Sequence, residues 1–242
     1  MAEESTPRVA TGYTLVLPPG WVRIPLRSGT NPAIRELLDA KFKRLPRDKV
    51  APYRAEIERR LKQQVIEARR NGGVDFYFPV EMTEIGPLPA SFVVSDIRLD
   101  PPEHAAGNAD PAQVLAAIAA DTGLANTGLA NTGLANTGLA DTGDEPGSRI
   151  VDIDGVAGLR TEELTPAPPG AEFRYAARGV KYTLPMPGAE GRWLLVMFAT
   201  PGAADPSGKL ADVLVRLFDA IMGTFRWTEG RMTEGTLNGG IG

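Results

Sequence analysis

The chain of 242 residues contains no cysteine and a single histidine, His104. The absence of cysteine excludes disulfides, thiolate zinc sites and thiol catalysis together. A hydrolytic triad would depend on His104 alone, and the chain has no Gly-x-Ser-x-Gly motif to supply its nucleophile. Glycine-rich dinucleotide and phosphate loops are missing as well. The sequence therefore predicts no cofactor, no metal ion and no catalytic residue, and we expect a protein that is not an enzyme.

Long apolar runs are also missing. No window approaches 18 consecutive apolar residues, so no membrane span is predicted. The opening residues, MAEESTPRVATGY, lack the basic stretch and apolar core of a secretory signal, and we expect a cytoplasmic location. The formal net charge of −4 argues against nucleic acid as a partner.

The chain does contain ordinary material for a globular core, with 43% hydrophobic and 23% charged residues. We interpret residues 11–228 as a single domain with a flexible insertion at about 101–148. A disordered N-terminus (1–10) and a disordered tail (229–242) flank this domain. Arginine outnumbers lysine 20 to 6, and alanine, glycine and proline are abundant. This bias indicates a GC-rich bacterial genome, such as that of an actinobacterium.

Hydrophobic patterning predicts strands and helices along this domain. Residues 12–26 alternate around Pro19-Gly20, which predicts a hairpin with a type II turn. Two helices are predicted at 31–45, with Asn31 as the cap, and at about 47–71, ending before Gly72.

Strand patterns follow at 74–82, 90–99, 149–164, 172–188 and 192–200. The last of these is the most apolar and is predicted to be central. Apolar residues then continue at helical spacing, at Leu210, Val213, Leu214, Leu217, Phe218, Ile221 and Met222. The order predicts an α+β fold in which an antiparallel sheet is covered by helices on one face.

A five-residue unit, Thr-Gly-Leu-Ala-Asn, is repeated in residues 122–143. A pentapeptide β-helix prefers Asn or Asp before the leucine and Gly at the end of the unit, whereas here Gly precedes and Asn or Asp follows. Four units also offer only four leucines, too few to bury a face without stacked neighbours. We therefore interpret the repeat as a low-complexity spacer.

The stretches YTLVLPPGW near the start and LFDAIMGTFRW near the end resemble the PsbP-like fold group. This group includes PsbP, the DcrB proteins and the LpqN-type actinobacterial proteins. The resemblance implies a PsbP-like fold and a binding or accessory module, and it brings no catalytic residues. LpqN-type proteins are exported lipoproteins acylated on a cysteine, a residue that this chain lacks, so the resemblance implies no envelope location.

Several acidic stretches are weak candidates for chemistry. Residues 152–155, Asp-Ile-Asp-Gly, resemble the start of a calcium loop, but the later carboxylates of such a loop are missing, and a hairpin turn is favoured. The pair Glu162 and Glu163, like Glu81 and Glu84, has no spacing that specifies acid–base catalysis. We interpret these four glutamates as solvated surface residues.

Charge is concentrated in the second predicted helix and its approach. Residues 41–70 hold eleven Lys or Arg and four Asp or Glu, so the rest of the chain carries a net negative charge. On a helical wheel Ile57, Leu61, Val65 and Ala68 form an apolar stripe. The candidate partner-binding residues lie on the opposite side and are Arg59, Lys62, Ile66, Arg69 and Arg70.

An isoleucine within a basic outer face allows two interpretations. It is either a stray apolar residue on a solvated surface or the apolar centre of a contact site for an acidic protein partner. The leading hypothesis is a non-catalytic binding or accessory module. The alternatives are a partner or chaperone-like component of a secretion or envelope system, acting through this helix, and an unrecognised hydrolase. The sequence gives no oligomeric state.

Overall fold

The computed structural model describes residues 9–43, 47–83, 86–98, 147–165, 177–201 and 206–230. In chain order the elements are β1 (Val9–Thr14), β2 (Trp21–Pro25), α1 (Thr30–Phe42), α2 (Arg47–Arg70), β3 (Gly73–Pro79), β4 (Met82–Thr83), β5 (Gly86–Pro87), β6 (Ser91–Arg98), β7 (Arg149–Ile153), β8 (Val156–Thr165), β9 (Ala177–Pro185), β10 (Arg192–Pro201), α3 (Lys209–Gly223) and β11 (Arg226–Gly230). The predicted insertion, its repeat and His104 lie outside the described residues, apart from the last two residues of the insertion.

Seven strands form one antiparallel sheet in the order β2-β3-β6-β10-β9-β8-β7. The most apolar strand, β10, occupies the central place, as its composition predicts. The α+β class and the antiparallel sheet are confirmed. Two further antiparallel pairs, β1 with β11 and β4 with β5, lie outside this sheet.

The helices lie on both faces of the sheet, which corrects the prediction that they share one face. Helices α1 and α2 pack over Phe76, whereas α3 packs over the next residue, Tyr77. Because consecutive side chains of a strand point to opposite faces, the two sets of helices are on opposite sides. The core under α3 is rich in aromatic rings, and Phe198 stacks on Phe218 with 4.7 Å between ring centroids.

Local turns follow the sequence closely. The amide of Trp21 donates to the carbonyl of Pro18 (3.2 Å), and Gly20 has φ 79°, as a turn with Pro19 and Gly20 at its centre requires. Asp154 and Gly155 have φ 55° and 76° and join β7 to β8 in a hairpin, which confirms that the Asp-Ile-Asp-Gly stretch forms a turn.

The predicted N-terminal hairpin is wrong. Strand β1 pairs with β11 and β2 pairs with β3, so the turn at Pro19-Gly20 joins strands of two different sheets. Strand β1 begins at Val9 and β11 ends at Gly230, and each therefore includes two residues that were predicted to be disordered. Helix α1 begins at Thr30 after Gly29, one residue earlier than expected, and Asn31 is not its cap.

Candidate binding surface on helix α2

Helix α2 packs on the sheet along one side. Leu61, Val65 and Ala68 are buried against α1 and β3, as their spacing predicts. Ile57 is exposed, so the buried stripe begins one turn later than predicted. Ile66 lies on the outer side, where 50% of its surface is accessible to solvent.

Most of the basic residues on this outer side have acidic partners in the same helix. Arg59 and Arg60 contact the same oxygen, Oε1 of Glu56, at 2.8 and 2.7 Å, and Nζ of Lys62 lies 2.7 Å from Oε1 of Glu58. Hydrogen bonds from the two arginines lower the pKa of Glu56 to about 2. Arg59 and Lys62 are therefore exposed as predicted, but each already contacts a glutamate of the same helix, and Arg59 shares its glutamate with Arg60.

Arg69 makes contacts different from those expected of a partner-binding residue. Its guanidinium donates to the carbonyl oxygens of Leu26 and Arg27, the latter at 3.2 Å, and lies 3.3 Å from Oγ1 of Thr30. These bonds hold the end of α2 to the segment that joins β2 to α1. The structure thus gives Arg69 a role in stability.

A concavity of about 290 Å³ lies on the outer side of α2 near its C-terminal end. Its lining residues are Gln63, Ile66, Glu67, Arg70 and Asn71. Among the described residues, nothing forms an ion pair or a hydrogen bond with Arg70, and Nδ2 of Asn71 is buried without an acceptor. The concavity thus combines an apolar side chain with Arg70, whose side chain has no ion-pair partner among the described residues, and with the carboxylate of Glu67. Of the five predicted site residues, Ile66 and Arg70 meet here.

A buried ionic network on the α3 face of the sheet was missed by the sequence analysis. Arg160 contacts Glu162 at 2.7 Å and Asp219 at 2.9 Å, and Arg178 contacts Glu162 and Asp212 at 2.5 Å each. Burial disfavours the charge on Arg160, but hydrogen bonds to Asp219 and Glu162 outweigh burial and raise its pKa above its ordinary value. The side chain of Glu162 is only 7% exposed, which corrects its interpretation as a solvated residue. The available signal was Arg160 and Glu162 at i and i+2, on one face of a strand.

A second polar cluster lies under β1. The hydroxyl of Tyr13 donates to Oδ2 of Asp75 (2.5 Å) and lies 3.0 Å from the hydroxyl of Tyr77, while Arg23 donates to both oxygens of Asp75. Burial raises the pKa of Tyr77 to about 12 and that of Tyr13 further, so both phenols stay protonated near neutral pH. The cluster joins the β1–β11 pair to the larger sheet, and Tyr13 also stacks on Phe225.

Metal and membrane sites are not evident in the described parts of the chain. No three of their His, Asp and Glu side chains are grouped closely enough to hold a metal ion. None of the described helices combines the length and the apolar content that crossing a bilayer requires.

Comparisons with known proteins include a structural similarity. No protein-family model and no curated protein matches the chain. A crystal structure of LpqN, described as involved in cell envelope biogenesis of Mycobacterium tuberculosis, is similar over 92% of this chain and 86% of the other. The two are 13% identical, with a TM-score of 0.39. LpqN belongs to the group that the sequence resembles.

Proposed function

We propose that the chain is a non-catalytic binding or accessory module of a bacterial cell, which docks an acidic protein partner on the outer side of α2. The observation that carries this proposal is the half-exposed side chain of Ile66 in a concavity beside Arg70, a cation without a partner among the described residues. An apolar centre surrounded by polar groups is the usual arrangement of the residues that dominate a protein interface.

The division of charge on α2 refines which residues contribute. Arg59 and Lys62 keep their intrahelical glutamates in the free protein, so a partner would gain little from displacing them. Arg70 forms no ion pair with any residue that the structure describes, so its guanidinium can bond a carboxylate of the partner without breaking such a pair. The apolar contribution comes from Ile66, because burying its exposed half removes apolar surface from water.

The described carboxylates inside the fold favour binding over catalysis. Asp75 is held by Arg23, and Glu162 is held by two arginines. Both carboxylates are thus engaged by arginines within the fold and are not free to contact a ligand. The exposed surface of α2 is therefore the better candidate for function.

Site-specific photo-crosslinking in cells of the source organism tests this function. A photoreactive amino acid replaces Gln63, at the edge of the concavity, and in a matched control it replaces Arg216, which is exposed on α3. We expect a defined crosslinked protein from position 63 and not from position 216. Adding Ile66→Ser or Arg70→Glu to the position-63 chain should remove it, while circular dichroism remains unchanged.

Salt separates the two contributions once that protein is purified. Capture by the unmodified chain should weaken at high salt, and Arg70→Gln should remove most of this dependence, because salt screens exposed charges. Ile66→Ala should weaken binding by about 1–2 kcal/mol at every salt concentration, since the lost term is apolar burial. Equal crosslinking in the presence of Ile66→Ser and Arg70→Glu would contradict the proposal.

A further inference from the structure

Three arginines meet at one corner of the seven-stranded sheet. Strand β6 ends at Arg98 and β10 begins at Arg192, and the two residues are directly opposite each other in the antiparallel register. Arg27 lies two residues beyond the end of β2 and reaches the same place. Like charges directly opposite on neighbouring strands destabilise a sheet. The repulsion between Arg98 and Arg192 therefore calls for a negative charge, either from the fold or from a ligand.

The charge of Asp96 is the compensation that the described residues provide. Nη2 of Arg27 and Nη2 of Arg192 each lie 2.6 Å from the same oxygen, Oδ2 of Asp96. Burial disfavours ionisation of Asp96, but hydrogen bonds from Arg192 and Arg27 outweigh burial and lower its pKa. Arg98 is exposed and forms no ion pair with a described residue, and the same holds for Glu190, two residues before Arg192.

A count of charges separates this corner from the other arginine cluster of the sheet. Arg149 and Arg160 are also directly opposite each other on β7 and β8, and Arg178 is bonded into the same network. The carboxylates of Glu162, Asp212 and Asp219 pair with Arg160 and Arg178, whereas Arg149 is exposed and forms no ion pair with a described residue. At the corner, Arg27 and Arg192 share the carboxylate of Asp96, and Arg98 has no ion-pair partner among the described residues. The three arginines and Asp96 together carry a net charge of about +2, and most of the N–H groups are free, since each guanidinium carries five donors.

The corner is also held in place before any ligand arrives. The amide of Asp96 donates to the carbonyl of Gly72 (3.2 Å), and Arg69 donates to the carbonyl of Arg27. Arg98 and Arg192 lie at the ends of paired strands, which are more rigid than loops. Two of the three guanidinium groups are already oriented by the carboxylate between them.

We propose that Arg27, Arg98 and Arg192 form a binding site for a phosphate monoester group. Guanidinium groups bind phosphate oxygens in a bidentate manner, and a phosphate monoester carries about −1.5 to −2 charges at pH 7, which matches the excess charge of the corner. A free phosphate and a phosphorylated lipid headgroup present this same group. The site does not include the outer surface of α2, so it stands independently of the proposed function.

Titration calorimetry of the full chain tests the site with two probes. One is inorganic phosphate, and the other is phosphatidylcholine vesicles prepared with and without phosphatidic acid. The test variant is Arg98→Gln, which removes a charge without breaking an ion pair of the described structure. The matched control is Arg216→Gln, the same substitution at an exposed position on α3. Loss of one charge-assisted hydrogen-bonding group should weaken binding by roughly tenfold or more in Arg98→Gln and should leave the control unchanged.

The outcomes distinguish the two sources of phosphate. Binding of inorganic phosphate that depends on Arg98 indicates a soluble phosphate, and binding only of vesicles with phosphatidic acid, again dependent on Arg98, indicates a lipid headgroup. Arg98→Glu provides a second reading, because it should raise the thermal midpoint by giving Arg192 an opposite charge while abolishing binding. Absence of binding to both probes, or equal binding by wild type and Arg98→Gln, would overturn the proposal.

Discussion

Substituting Glu162 by Gln should destabilise the protein more than any neighbouring change of a carboxylate. Glu162 lies between Arg160 and Arg178, and its side chain is 7% exposed. Glutamine has nearly the same shape as glutamate and keeps an acceptor oxygen, so the substitution removes a charge without leaving a cavity. The two arginines remain buried with less negative charge around them, which is the costly way of breaking a buried pair.

The expected cost follows from the contacts that survive. Removing one partner of a fully buried pair costs roughly 3–5 kcal/mol when the other charge is left alone. Here Arg160 keeps Asp219 at 2.9 Å and Arg178 keeps Asp212. The loss should therefore lie at about 2–3 kcal/mol, below that range. Asp212→Asn is the matched control, because its side chain is 45% exposed and its loss should cost about 1 kcal/mol or less.

Urea denaturation of the wild type and the two variants measures these differences, with m-values compared to confirm that the unfolding transition is unchanged. Added salt should leave the effect of Glu162→Gln almost unchanged, because buried charges are poorly screened, and should reduce the effect of Asp212→Asn. Equal losses of unfolding free energy below about 1 kcal/mol for both variants would show that the network is solvated and that Glu162 is not a buried charge.

Two further predictions concern neighbouring elements. Leu214→Ala in α3 should lower the free energy of unfolding, measured by urea denaturation, by roughly 2–5 kcal/mol, because Leu214 is 2% exposed. Val213→Ala should change it by no more than about 0.5 kcal/mol, because Val213 is 52% exposed. Similar losses in the two variants would contradict the observed orientation of the helix. NMR titration should find the pKa of Glu56 at about 2. Because this pKa lies below that of the unfolded chain, the ionised Glu56 stabilises the fold fully above the unfolded pKa, and this contribution is lost as the pH falls towards about 2. An ordinary pKa would show that the ion pairs of Glu56 do not form in solution.

Local sequence patterns predicted those parts of the fold that depend on local geometry. The turn at Gly20 and the hairpin at Gly155 need backbone angles that glycine favours, and α2 ends close to its predicted boundary. The partners of β1 were not predictable in this way. Thr11 bonds to Thr228, 217 residues away, and no short-range pattern encodes that pairing.

For helix α3 the sequence pattern predicts the helix correctly but not which of its residues are buried. The apolar stripe predicted for it is wider than the arc that the sheet buries. Ala211 and Val215 are buried although the prediction did not include them in the stripe, while Leu210 and Val213 are exposed. The periodicity identifies the helix, but the rotation that buries Ala211 is chosen by the aromatic packing beneath it.

The candidate site on α2 likewise combines features that local geometry predicts with contacts that depend on tertiary packing. A helical wheel suffices to place Ile66 outside, because it requires only the geometry of one helix. The pairing of Lys62 with Glu58 was also available in the sequence as an i, i+4 spacing, and the sequence analysis did not use it. The contacts of Arg69 with the β2–α1 segment depend on tertiary packing and had no sequence signal.

Internal pairing, more than the number of charges, decides which basic residues can take part in binding. Region 41–70 is rich in Lys and Arg, yet Arg59 and Lys62 are each paired with a glutamate of α2. Arg160 is balanced by carboxylates inside the fold. A ligand gains little from a cation whose charge is already compensated, because forming the new pair breaks the old one. Arg70 and Arg98 lack such compensation from the described residues, and the two proposed sites depend on these arginines.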